Sequence, residues 1–69
     1  MPAALAMFFS AVDDAALAHA VFAAGGADAA LYLLFDAAYR LQCDGGSATE
    51  IMAMVGVSDR VAALARRQE

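Results

Sequence analysis

His19 is the chain's one histidine and Cys43 its one cysteine, so chemistry at neutral pH would begin with them. Histidine is the side chain that titrates near neutrality without help. A general base also needs a nucleophile or an orienting partner within reach, and no Ser, Cys or second His is positioned to serve. His19 therefore reads as a packed or interface residue. Cys43 stands beside Asp44 near the end of a helical stretch. Negative charge and a helix C-terminus raise a thiol's pKa, which argues against a thiolate nucleophile. The carboxylates are scattered over Asp13, Asp14, Asp28, Asp36, Asp44, Glu50, Asp59 and Glu69, without the spacing of a calcium loop. One Cys and one His cannot make a zinc set. The pairs Gly25-Gly26 and Gly45-Gly46 lack the lysine and the pattern of a phosphate-binding loop. The residue types imply no enzyme, no metal and no cofactor.

Binding is better supplied. Tyr32 and Tyr39 lie seven residues apart beside Asp36 and Arg40, and Tyr and Arg are over-represented among binding hot spots. These four are the expected partner-facing patch; the plainer alternative is a half-buried helix flank. Phe8, Phe9, Phe22 and Phe35 are too many for the core of so short a monomer, and with Leu31 and Leu34 they are the expected seam of a homodimer. The chain carries eight acids against four Arg and no Lys, a net charge of −4. That balance favours a second protein with a basic surface and disfavours nucleic acid. Arg60, Arg66 and Arg67 are the one cluster of cations, and would be the phosphate contacts if the chain did bind DNA.

What must position these residues is a single domain, 1–69, with a marginal core. Hydrophobic residues make up 64% of the chain, against ~45–50% in ordinary soluble domains. Twenty of them are Ala, and Pro occurs only at position 2, so helices are expected throughout. Small scaffolds are usually completed by disulfides, a metal or oligomerisation; with the first two removed, self-association is left. Charges interrupt every apolar stretch before the roughly 20 residues a membrane span needs. No Lys or Arg precedes the first apolar stretch, which speaks against a secretory signal. With a lone cysteine, the expectation is a cytoplasmic protein.

The glycine pairs divide the chain into three segments. The first, to Ala24, is either one long helix or a short one broken at Ser10, where Ser10-Ala-Val-Asp13 would cap a helix starting at Ala11. In the second, Asp28 is the expected N-cap of a helix over Ala29 to Gln42, with Leu31, Leu34, Phe35, Ala38 and Leu41 as its buried stripe. Leu33 lies off that stripe, so the helix is apolar on more than one side. Asp36 and Arg40 have the favourable acid-first spacing of four. The third segment opens on Ser47-Ala-Thr-Glu50, a capping box, continues through Ile51, Met54 and Val55, and carries Arg66 and Arg67 at the negative end of its dipole. Whether Gly56 breaks this helix is open.

Within that segment, Ala48 to Ala65 resembles the helix-turn-helix of bacterial transcription regulators, through Glu50-Ile51, the apolar Val55, the turn-like Gly56-Val57-Ser58 and an apolar position soon after. The resemblance implies a sharp turn at Gly56, Val57 as a core plug and Ser58 as cap of a recognition helix. Met52 stands where the family has a small residue, and Val61 falls one residue early. Asp59, Arg60, Ala62 and Ala63 are poor material for reading base edges. In size and build, without a shared motif, the chain is also similar to small phage-encoded inhibitors of host regulators. The expectation is an all-α protein of three to four short helices, a helical hairpin plus a C-terminal helix or helix-turn-helix, forming an intertwined homodimer. Its expected work is that of an inhibitor or anti-activator that occludes a partner protein such as a transcription factor; the alternative is a small DNA-binding regulator.

Overall fold

The computed structural model describes the backbone of residues 3–67 and the side chains of residues 5–67. Every regular element among them is a helix: α1 (Ala3–Ser10), α2 (Asp14–Ala24), α3 (Ala27–Cys43) and α4 (Ala48–Arg67). The first segment is thus broken directly after Ser10, as one of the two expectations had it, but the next helix starts at Asp14 and not at Ala11. Asp13 is the N-cap of α2: its backbone is extended, and its carboxylate accepts the Ala16 N–H at 2.7 Å. Ser10 instead closes α1, its hydroxyl donating to the Met7 carbonyl at 3.1 Å.

Both glycine pairs stop helices by the same device. The Gly26 N–H donates to the Val21 carbonyl and the Gly25 N–H to Phe22; likewise the Gly46 N–H donates to Leu41 and the Gly45 N–H to Gln42. These are Schellman caps, which need a left-handed residue at the first glycine. Gly25 and Gly45 supply it, with φ of 106° and 78°. Gly46 is needed for a different reason. A Cβ there would stand 2.9 Å from the Leu41 carbonyl oxygen.

Asp28 is not the cap of α3. The Gly26 carbonyl already accepts the Ala30 N–H at 3.0 Å, so α3 starts at Ala27 and Asp28 falls in its first turn. There its charge faces the positive end of the helix dipole. Ser47 does cap α4: its Oγ accepts the Glu50 N–H at 3.2 Å, and its carbonyl accepts Ile51.

Gly56 does not interrupt α4, which runs as one helix of 20 residues. The turn implied at Gly56-Val57-Ser58 is therefore helical in this structure. Ser58 is buried, and its hydroxyl donates to the Met54 carbonyl at 2.9 Å. A serine bonded to its own helix four residues back tolerates burial without capping anything.

One core joins the four helices: Leu5 and Phe8 from α1, Leu17 and Ala20 from α2, Ala30 and Leu34 from α3, Met54 and Val61 from α4. Each large side chain among them contributes about 1.5–3 kcal/mol on burial. Ala20 and Ala30 are the small residues of that core. The most extensive packing is α3 against α4, while α2 touches the other three helices. The Cα radius of gyration, 11.4 Å, is close to the ~11 Å expected of a chain this long folded on itself. Among the described residues no single helix is long and apolar enough to cross a membrane. Helices α2 and α3 reach that length only together, and they meet at 90°.

Candidate functional site

The dominant surface feature follows from a mismatch of lengths. Helices α3 and α4 have 17 and 20 residues, whereas α1 and α2 have 8 and 11. Helix α1 packs mainly on α2, so it covers only part of the α3–α4 pair. The uncovered part is a groove of about 820 Å³ between α1, α3 and the first half of α4. Leu5 of α1 lines it together with Leu33, Ala37 and Leu41 of α3 and Ala53 and Met54 of α4. Phe9, Tyr32 and Thr49 stand at its edge with four charged residues: Asp36, Arg40, Asp44 and Glu50.

Arg40 donates from Nε to Asp36 Oδ2 at 3.0 Å, the pair expected from their spacing. Among the described residues neither Asp44 nor Glu50 is in an ion pair. Three carboxylates against one guanidinium leave the rim two charges negative. The site is an apolar trough with an acidic rim. It is suited to hold an apolar surface that carries positive charge at its margins.

Of the expected partner patch, Tyr32, Asp36 and Arg40 come together at this rim, while Tyr39 lies outside the groove on the outer face of α3, 67% exposed. The residues expected at a dimer seam are divided. Phe8 and Leu34 belong to the chain's own core, at 1% and 0% exposure. Leu31 is half-buried against that core, and Phe9 edges the groove. Phe22 and Phe35 are exposed, so the buried stripe expected on α3 turns away from Phe35 and takes in Ala30 instead. Phe22 also flanks a smaller hollow of about 160 Å³ bounded by Ala18, Val21, Val61 and Leu64.

The arginines considered for phosphate are largely engaged. Asp14 receives Arg67 at 3.0 Å and Arg60 at 3.6 Å, which ties the end of α4 to the start of α2. The hydrogen bond from Arg67, reinforced by both positive charges, holds the Asp14 carboxyl below its ordinary pKa. Arg66 is exposed. His19 lies exposed on α2 and Cys43 exposed at the end of α3. Among the described residues no three His, Cys, Asp or Glu side chains gather as a metal-binding group.

The groove's α3 wall and its α4 wall were the part missed by reading the sequence. Leu33 off the main stripe was the signal: a second apolar row, Leu33-Ala37-Leu41, shares its helix face. Comparison of the chain with protein-family models, with curated proteins and with solved structures gives no match.

Proposed function

We propose that this protein is a regulatory binding module that takes an amphipathic, positively charged helix of a second protein into the α1/α3/α4 groove and thereby occludes that helix. The observation that carries the reading is the groove itself: an apolar trough of about 820 Å³ rimmed by Asp36, Asp44 and Glu50. Helix-in-groove recognition uses anchors at i, i+3, i+4 and i+7 on one face of the guest. The parallel rows Leu33-Ala37-Leu41 and Ala53-Met54 offer two walls for such a face. The negative rim selects Lys and Arg at the flanks of the guest and raises its association rate. Helices of that character are common on DNA-binding surfaces, so an anti-activator acting on a transcription factor is the form of inhibitor that fits best.

The test is affinity capture with the wild-type chain and with Ala53→Arg, which sets a long cation into the trough. A stoichiometric partner held by wild type and lost by Ala53→Arg supports the reading; a partner held equally by both removes the groove from it. The DNA-binding alternative is checked beside it by a gel shift on duplex DNA at low salt. With Arg60 and Arg67 engaged by Asp14, no shift is expected.

A further inference from the structure

The outer face of α3 is apolar and aromatic where a monomeric helix would be polar. Tyr32 is 76% exposed, Phe35 57% and Tyr39 67%. With the exposed Gln42 they fall at spacings of three, four and three, the a/d repeat of a coiled-coil seam. None of the three is a core residue of its own chain, and Phe35 and Tyr39 lie outside the groove, whose rim Tyr32 touches. At 3.6 residues per turn, the centre of this stripe lies roughly 170° around α3 from Leu33, Ala37 and Leu41.

We propose that this face binds a second copy of the chain, α3 against α3 in antiparallel orientation, about a two-fold axis at the level of Ala37. The stripe is self-complementary in that register. Reversal about Ala37 exchanges 35 with 39 and 32 with 42, so Phe35 faces the partner's Tyr39 and Tyr32 faces the partner's Gln42. Ring meets ring in the two central layers, and a phenol meets an amide that can hydrogen-bond it in the outer two. The charges at one edge also agree with the pairing. Asp36 and Arg40 of each copy, already paired at 3.0 Å within the chain, form a group of four whose charges sum to zero.

The area is adequate but small. An aromatic residue buries about 150–250 Å², so three rings at the exposures above remove roughly 400 Å² from each copy. With the flanking charged stems the total is about 1,200 Å², the lower limit for a specific interface. An interface at that limit fits a reversible dimer. The groove floor of Leu33, Ala37 and Leu41 faces away from the seam, so pairing touches each groove only along the rim formed by Tyr32, Asp36 and Arg40 and leaves Asp44 and Glu50 free of it.

Sedimentation and disulfide trapping test this. Wild type at high micromolar concentration is expected at twice the 7.1 kDa chain mass, and Phe35→Glu with Tyr39→Glu at the single mass with its helical circular dichroism kept. In a Cys43→Ser background, chains carrying Phe35→Cys mixed with chains carrying Tyr39→Cys should cross-link to each other under mild oxidation. A single-mass wild type overturns the proposal, as does a dimer that survives both glutamates. Rapid cross-linking of wild-type chains through Cys43 overturns the antiparallel register, since that cysteine meets its twin only in a parallel pair. Ala53→Arg is expected to remain dimeric, so loss of groove binding and loss of pairing are separate results.

Discussion

Asp14 is the residue on which the far end of the chain is fastened, and its behaviour with pH follows from that. Its carboxyl lies below the ordinary 3.8 because Arg67 donates to it and Arg60 stands near. A carboxyl with a lowered folded-state pKa contributes stability that is complete above the ordinary value. That contribution is lost as pH falls through the lowered one. An NMR titration should find Asp14 below 3.8 in wild type, returning upward in Arg67→Gln, with the difference shrinking as salt screens these exposed charges. Gly56 gives a second residue-scale result. It is exposed, helical, and has nothing within 4 Å of a Cβ position. Gly56→Ala is therefore expected to stabilise the chain by about 1 kcal/mol in urea unfolding; destabilisation would show that position 56 is not helical. Gly46→Ala has the opposite sign, because its Cβ would press on the Leu41 carbonyl. The two glycines illustrate what a sequence conveys about single residues. Gly25-Gly26 and Gly45-Gly46 were legible as helix ends because left-handed backbone excludes most other residues. Gly56 was ambiguous because a helix tolerates glycine at a modest cost that its packing through Met54 and Val61 can offset.

At the scale of elements, adjacent side chains on α3 have opposite duties. Leu34 is fully buried and Phe35 is 57% exposed. Leu34→Ala should cost about 2–5 kcal/mol through lost burial and the cavity left behind. Phe35→Ala, though it removes more atoms, should cost far less in urea titrations run at concentrations too low for self-association. The expected stripe contained both residues. Periodicity alone gave the helix but not its rotation, since apolar residues surround most of its circumference. The rotation is set by packing in the folded chain, most of it against α4, which buries Ala30 and Leu34 and leaves Phe35 outside. The caps show the same limit. Ser47 was readable because it stands between Gly46 and the first helical residue, whereas after Gly25 the next helix begins at once, with Gly26 in the cap position and Asp28 already inside the helix.

The whole molecule retains the property that its composition announced, more apolar surface than one copy hides. Of four phenylalanines, Phe8 is interior and Phe9, Phe22 and Phe35 are exposed, along with both tyrosines. The groove was not legible, because it arises from the unequal lengths of two helix pairs and only the folded chain sets them side by side. Its occupant should announce itself through charge: capture of a partner by wild type is expected to weaken as salt rises. Glu50→Lys should weaken it further at low salt than at high, since a rim charge acts mainly on encounter. Self-association leaves a different trace. When only the folded state pairs, the unfolding equilibrium depends on chain concentration by mass action. The melting temperature of wild type should then climb across a hundredfold increase in concentration spanning the micromolar range, and that of Phe35→Glu with Tyr39→Glu should stay level. A melting temperature that is flat in both would mean that the exposed rings of α3 face water in the working protein, and that the groove acts from a monomer.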